Sequence, residues 1–182
     1  MGYVSLEHCY FSDTVLFWTK YDNFRIWPFT ETCSELVCHC LELGFAVRGA
    51  ITVGEVILDK PTNTYLGGPL IEAARVEKAQ RWLGVSFGPS FAEPPHNRLL
   101  PKGQIAYGRH RKEGTDHLIP GMVLDWPRKW RETRTRDVHS VLRQLNRDPK
   151  YGDYFRITHE FVDYSFTNHD WFLKHPTSVR ID

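Results

Sequence analysis

The stretch EHCYFSDTVLFW, residues 7–18, joins two short apolar runs through the dipeptide Ser12-Asp13. An ionised carboxylate is not stable in an apolar interior unless it is paired, hydrogen-bonded or bound to a metal ion. Asp13 is therefore expected at a strand end, in a turn or on a cation, and these alternatives describe different proteins. The pattern predicts two β-strands over residues 3–11 and 14–20 joined by a tight hairpin, because only Ser12 and Asp13 between them are turn-forming.

The composition indicates one globular domain over all 182 residues, with 41% hydrophobic and 25% charged residues. The sequence contains no apolar run long enough for a membrane span and no signal-peptide pattern, so we expect a cytoplasmic protein. Cys33, Cys38 and Cys40 fall on one helical pattern and Cys9 on a strand pattern. Reduced thiols are expected rather than a disulfide framework or a zinc site.

The charge is uneven along the chain although the net charge is only +1. Residues 98–136 carry 10 Lys and Arg against 4 Asp and Glu. Such a segment could meet a polyanion, with Trp126 and Trp130 stacking on bases, or it could be an ordinary solvated surface. The chain has no nucleic-acid-binding motif, and we expect no nucleic-acid partner.

Hydrophobic periodicity predicts the remaining elements. Helices are expected from Thr30 to Gly44, from Pro69 to Gly84 and over residues 136–148, strands over 45–59 and 122–126, and an irregular segment over 89–121. An aromatic pattern near helical spacing follows over residues 151–175 and indicates a C-terminal core helix.

The familiar phosphate-loop, dinucleotide, zinc-protease and serine-hydrolase motifs are absent from the sequence. What remains is a series of candidate residues: Asp13 in the hairpin, Arg48 on the next strand with Gly54 behind it, and Glu72 and Arg75 on the second helix. Each has a structural alternative. Asp13 suits a turn, and Glu72 and Arg75 could form a surface pair at i and i+3.

The order and spacing of these pieces resemble class III nucleotidyl cyclases. The resemblance is carried by FSDTVLFW (11–18), RGAITVGE (48–55) and GGPLIEAARVEKAQRWLGV (67–85), and it covers residues 3 to about 90. Within that superfamily the chain looks most like the small cyclases of bacterial Pycsar anti-phage systems. The resemblance implies an α+β fold with a ferredoxin-like cyclase sheet, helices packed on one of its faces and a first strand missing or truncated. Residues 1–90 would form the core and 91–182 a variable, helical and irregular C-terminal part.

The resemblance also implies an activity. A pyrimidine nucleotide cyclase converts UTP, or with less support CTP, to the 3′,5′-cyclic monophosphate and diphosphate, a second messenger for anti-phage defence. Two Mn²⁺ or Mg²⁺ ions would activate the 3′-hydroxyl and hold the α-phosphate. Asp13 matches a metal-binding aspartate of the family, and Arg75 matches the arginine that stabilises the transition state. Cys9 lies where purine cyclases choose the base, and Tyr10, Ser12 and Arg48 complete the expected substrate-binding set.

The sequence departs from the family pattern in two places. The first metal aspartate of the family lies on a strand well before the hairpin, but only 12 residues precede Asp13. The family's helper asparagine would fall near Ile71. The chain therefore either begins late or is a degenerate cyclase-like domain that binds a nucleotide or a partner, and alone it is expected to be weak or inactive. The resemblance further implies a homodimer, with the metal site on one protomer and Arg75 on the other.

Overall fold

The computed structural model describes residues 6–22, 25–62, 64–92 and 103–174. The strands are β1 (Glu7–Phe11), β2 (Thr14–Trp18), β3 (Gly49–Ile51), β4 (Ile57–Asp59), β5 (Thr64–Leu66), β6 (Val85–Phe87), β7 (Gln104–Ala106) and β8 (Met122–Leu124). The helices are α1 (Ile26–Glu42), α2 (Gly68–Lys78), α3 (Trp126–Thr133), α4 (Val138–Leu145), α5 (Gly152–Thr167) and α6 (Trp171–Lys174). The α+β class is thus confirmed. The predictions for residues 3–5, 93–102 and 175 lie outside the described residues.

The predicted hairpin is confirmed. Strands β1 and β2 pair antiparallel with Phe11 opposite Thr14, which leaves Ser12 and Asp13 as a two-residue turn. Ser12 has φ 52°, and it is the one non-glycine residue of the described chain with a positive φ. Hairpins of this length favour positive φ at the first central residue, because that geometry matches the twist of the strands. The turn therefore lifts Asp13 out of the strand pair.

The other strands form one four-stranded sheet and a second hairpin. The sheet has the order β3-β6-β8-β7, with β3 parallel to β6 and the remaining pairs antiparallel, while β4 and β5 pair with each other. The prediction of a single strand over residues 45–59 is therefore wrong, because this segment contains two short strands, β3 and β4. It is interrupted before β4 at Gly54, which has φ 149° and where a Cβ would lie 2.8 Å from the Pro69 ring.

Helices cover both faces of the four-stranded sheet. Ile51 of β3 belongs to the main hydrophobic core together with Val37 of α1. Its neighbour Ala50 packs instead with Val76 and Ala79 of α2. Because successive side chains of a strand point to opposite faces, α1 and α2 lie on different sides of β3. The expectation that the helices pack on one face is corrected accordingly.

Helix α1 begins four residues earlier than its apolar stripe predicts. Asp22 accepts a hydrogen bond from the backbone N–H of Arg25 at 2.8 Å, which satisfies one of the free donors at the helix start. Pro28 is compatible with the first turn, where a backbone N–H has no partner within the helix. The predicted N-cap Thr30 lies inside the helix and donates its hydroxyl to the Trp27 carbonyl at 2.9 Å.

Two further helices differ from expectation. Helix α2 ends at Lys78 rather than at Gly84. Helix α3 was not predicted, although the sequence carries its start signal: Asp125 accepts the backbone N–H of Arg128, and Pro127 occupies the first turn. The strand over 122–126 and the helices over 136–148 and 151–175 are confirmed in position by β8, α4 and α5.

A buried polar network fixes the end of α2 against the sheet. The Gln80 side-chain oxygen accepts from Trp82 Nε1 at 2.6 Å and from the Ser86 hydroxyl at 2.8 Å, and its amide donates to the Gly49 carbonyl at 2.8 Å. His110 Nε2 lies 2.7 Å from Ser86 Oγ. Because the hydroxyl proton of Ser86 is directed to Gln80, His110 Nε2–H is the donor in that pair. Burial, and secondarily the charge of Arg111, lower the pKa of His110 to about 3.

Acid is therefore expected to destabilise the fold through His110. Between an unfolded pKa of about 6.5 and the folded value of about 3, the unfolded chain binds more protons, so stability falls as the pH falls. One such group contributes up to about 1.4 kcal/mol per pH unit. His110→Gln keeps a donor for Ser86 and should flatten this slope in urea unfolding measured from pH 6.5 to 4.5. His117→Gln, at an exposed histidine, should leave it unchanged. An equal slope in His110→Gln and the parent protein would contradict the account.

Candidate functional site

Asp13 stands at the tip of the β1–β2 hairpin. Its neighbours Ser12 and Thr14 are exposed, as is Asp13 itself. In the described part of the chain, Asp13 makes no hydrogen bond and no ion pair. A turn carboxylate that served only the turn would be expected to accept a local backbone N–H. Both carboxylate oxygens of Asp13 are instead available to a ligand from solution.

The two faces of the hairpin separate two of the expected substrate-binding residues. The rings of Phe11 and Trp18 pack against Tyr65 of β5, with centroids 5.0 and 6.3 Å apart. Cys9 lies on that same face, where desolvation and a hydrogen bond to the Cys9 thiol raise the pKa of Tyr65. Tyr10 points to the opposite face and is 75% exposed. Cys9 thus faces the second hairpin, while Tyr10 faces solvent.

Arg48, the fourth expected substrate-binding residue, has internal partners. Its guanidinium forms an ion pair with Glu77 of α2 and donates to the Gln80 carbonyl at 3.3 Å. It also lies 5.6 Å from the ring centroid of Tyr154 on α5. These contacts connect the start of β3 to two helices, so the structure gives Arg48 a role in packing.

Arg75 is exposed on α2. The surface pair with Glu72 does not form, because Glu72 accepts from the backbone N–H of Ser90 at 3.0 Å and from its hydroxyl at 2.8 Å. The Ser90 hydroxyl oxygen in turn accepts the N–H of Val53 at 2.9 Å. Glu72 therefore holds the loop after β3, and the Arg75 guanidinium has no partner among the residues the structure describes.

The structure does not join these candidates within one chain. No hydrogen bond or ion pair links Asp13 to Arg75 or Arg48 in the described residues. The same residues contain no group of three or more His, Cys, Asp and Glu side chains arranged to hold a metal ion. A cation at Asp13 would therefore complete its shell with substrate oxygens, water or a further carboxylate.

A groove of about 920 Å³ lies beside the hairpin, away from its tip. Its walls come from β2, the start of α1, the end of β3 and the start of α2, and they include Leu16, Trp18, Phe29, Ile51 and Leu70. Sequence reasoning missed this groove, because its lining is assembled from short pieces of several elements and leaves no local pattern.

The two tryptophans of the basic segment are not available to stack on bases. Trp126 is fully buried and Trp130 is 2% exposed. The indole nitrogen of Trp130 donates to the Arg136 carbonyl at 2.7 Å. Both rings belong to the main core. The proposed stacking role of Trp126 and Trp130 is therefore wrong.

Three cations of the basic segment form ion pairs with helix α1. Arg128 and Lys129 of α3 both bind Glu31 of α1, and the Lys129 Nζ–Glu31 distance is 3.1 Å. Arg134 binds Glu35 and lies 3.2 Å from Glu42, both on α1. Carboxylates of α1 and part of the basic segment therefore meet across the α1–α3 interface.

A histidine pair joins α4 to α5 and was missed by sequence reasoning. His139 Nδ1 and His159 Nδ1 are 2.7 Å apart, and the rings stack with an interplanar angle of 9°. Asp163 lies 3.1 Å from the other nitrogen of His139. Burial and the neighbouring His139 lower the pKa of His159. Because Asp163 is on the far side of the His139 ring, it cannot join the two Nδ1 atoms on one metal ion.

No described helix combines the length and the apolar character that a membrane span requires. A scan against protein-family models finds no match for this sequence, and comparisons with curated proteins and with solved structures find no match either. The assignment of a function therefore depends on the chemistry of the residues described above.

The α1–α3 ion pairs predict a specific stability difference. The Arg134 side chain is 9% exposed and has two carboxylate partners, so Arg134→Gln should lower the free energy of unfolding by about 1–2 kcal/mol. The matched control is Arg143→Gln, because Arg143 and its partner Asp137 are both more than half exposed. That change should cost less than about 0.5 kcal/mol. Urea unfolding measures both, and equal effects would contradict a structural role for the basic segment.

Proposed function

We propose that this protein is a nucleotidyl cyclase of the class III type, acting on UTP or, less well supported, on CTP in the cytoplasm. The observation that carries the proposal is Asp13, a solvent-facing carboxylate at the tip of a strained two-residue turn that has no partner among the residues the structure describes. It lies inside the motif that resembles the metal-binding hairpin of those enzymes. The proposal also includes the ferredoxin-like sheet of class III cyclases and a role for this protein in anti-phage signalling.

The reaction requires few protein groups. The 3′-oxygen of the ribose attacks the α-phosphorus, a new phosphorus–oxygen bond forms, the bond to diphosphate breaks, and the hydroxyl proton passes to solvent. Bound Mn²⁺ or Mg²⁺ would lower the pKa of the hydroxyl and neutralise the phosphates. Asp13 would hold that cation. Arg75 would donate to the charged phosphate oxygens as the bond to diphosphate lengthens, a task that suits a guanidinium fork.

A homodimer would bring Asp13 and Arg75 together across two chains. The surface offers apolar pairs for such an interface: Tyr10 and Val15 face each other on the first hairpin, and Ile57 and Leu66 on the second. All four are more than half exposed, as is Ile71 on α2. Exposed apolar side chains such as these are available to an interface with a second copy of the chain.

One observation favours a second candidate, a cyclase-like domain that binds nucleotide without turnover. Two-ion chemistry uses more than one protein carboxylate. The described residues contain no group of three or more His, Cys, Asp and Glu side chains arranged to hold metal ions, around Asp13 or elsewhere. Nucleotide binding in the presence of Mn²⁺ without product would support this candidate over the enzyme.

Product analysis tests the proposal. The protein, and a form extended at its N-terminus, are incubated with Mn²⁺ and each of the four ribonucleoside triphosphates. Cyclic pyrimidine monophosphate and diphosphate are expected in equal amounts. Asp13→Asn should reduce product to background. Asp59→Asn, a carboxylate in the second hairpin that accepts from Thr62 at 2.6 Å, should keep activity within about twofold.

Mixing variants tests the shared site. Asp13→Asn and Arg75→Ala should each be inactive alone, with Arg75→Ala losing about 100-fold or more. If each site takes Asp13 from one chain and Arg75 from the other, mixed dimers contain one intact site, and mixing should restore up to about a quarter of the activity. Absence of any product from every form, or activity retained in Asp13→Asn, would contradict the proposed enzyme.

A further inference from the structure

Glu72 lies one turn before Arg75 on helix α2, where residues three apart are neighbours on the helix surface. Its carboxylate turns away from Arg75 to Ser90, which follows strand β6. The backbone N–H and the hydroxyl of Ser90 both donate to Glu72 Oε1, at 3.0 and 2.8 Å. One carboxylate oxygen therefore ties the first half of α2 to the segment after β6.

The same contacts continue to the end of β3. While the Ser90 hydroxyl donates its proton to Glu72, its oxygen accepts the backbone N–H of Val53 at 2.9 Å. The neighbouring Thr52 hydroxyl donates to the Pro69 carbonyl in the first turn of α2, also at 2.9 Å. We call Glu72, Ser90 and Val53 the Glu72 network. It attaches one helix to the ends of two adjacent strands.

Gly88 leaves the space that the Glu72 carboxylate occupies. Its backbone N–H donates to the Ile51 carbonyl at 2.8 Å, as part of the pairing between β3 and β6. Its φ of −79° and ψ of 168° are extended values that any residue adopts. A Cβ at this position would collide with the Glu72 carboxylate. Glycine is therefore required here by space rather than by backbone conformation.

The position of Arg75 depends on where α2 lies. The Arg75 guanidinium has no partner among the residues the structure describes, so only the helix backbone places it. A misplacement of about 1 Å at a reacting group can cost about 100-fold in rate. Ser90 also keeps the Glu72 carboxylate occupied. A released Glu72 could pair with Arg75 and take up the donors that a phosphate would need.

We propose that Glu72 is a positioning residue for Arg75. Through Ser90 it fixes α2 against the ends of β3 and β6, and it thereby sets where the Arg75 guanidinium meets the substrate phosphate. Glu72 touches neither substrate nor metal ion in this role. The inference rests on the proposed function, because Arg75 needs a defined position only if it acts on a phosphate.

Steady-state kinetics of Glu72 variants tests the role in catalysis. Glu72→Ala should lower kcat about 10- to 100-fold and leave KM within about twofold, because Arg75 acts on the transition state. Glu72→Gln keeps an oxygen that accepts both Ser90 donors, so its kcat should stay within about threefold of the parent value. Gly88→Ala should reproduce the effect of Glu72→Ala, since its added methyl group displaces the carboxylate.

Amide hydrogen exchange tests the network without any turnover. The Ser90 amide should exchange about tenfold faster or more in Glu72→Ala than in the parent protein. The matched control is Glu42→Ala, which removes a carboxylate 3.2 Å from Arg134 on α1, the helix on the other side of β3. It controls for a general loss of stability. It should change neither the Ser90 amide nor kcat.

The possible failures are distinguishable. Unchanged exchange of the Ser90 amide in Glu72→Ala would overturn the network itself, whatever the activity. An active parent protein whose kcat is kept in Glu72→Ala, or is lowered equally in Glu42→Ala, would overturn the positioning role and leave the proposed function in place. Absence of product from the parent protein and from its N-terminally extended form would overturn the proposed function and the positioning role with it.

Discussion

A charged carboxylate placed between two apolar strands has to reach water, and the first hairpin is organised around that constraint. Ser12 adopts a positive φ, which lets the chain reverse direction in two residues. The reversal places Asp13 beyond the packed rings of Phe11 and Trp18. Strain at a non-glycine residue costs about 1 kcal/mol or more, and it persists where the surrounding structure fixes it. The exposed position of Asp13, and with it any metal chemistry, follows from this turn.

The rest of the molecule holds that hairpin beside a sheet whose core is defined by long-range contacts. Glutamates of α1 neutralise the cations of α3, and the Gln80, Ser86 and His110 network fixes the end of α2 to β6. These polar contacts give three cations of the basic segment, Arg128, Lys129 and Arg134, carboxylate partners inside the molecule. Arg75 on α2 has no partner among the described residues, in contrast to Arg48, which forms an ion pair with Glu77.

Local patterns predicted local structure. The hairpin, β8, α4 and α5 follow from alternation, turn residues and helical spacing, all of which act within a few residues. The break at Gly54 and the placement of helices on both faces of the sheet depend on partners far along the chain, such as Pro69 and Val76. No periodicity encodes these partners.

The candidate site likewise has features that the local sequence predicts and features that depend on tertiary contacts. Exposure of Asp13 and Arg75 is consistent with the roles expected for them, whereas the partners of Arg48 and the burial of Trp126 could be seen only in three dimensions. The groove beside β2 and the pair of His139 and His159 likewise arise where separate elements meet. Tertiary contacts decide which of several chemically suitable residues are free to act.

The central claim is that Asp13 holds a divalent cation together with a pyrimidine nucleotide. Mn²⁺ broadens the NMR signals of nuclei close to it, so the backbone amides can report its position before any turnover. With UTP present, the account predicts that Mn²⁺ broadens the amides of residues 12–14 first and that Asp13→Asn abolishes this effect. Broadening centred elsewhere in the chain, or unchanged in Asp13→Asn, would contradict the claim.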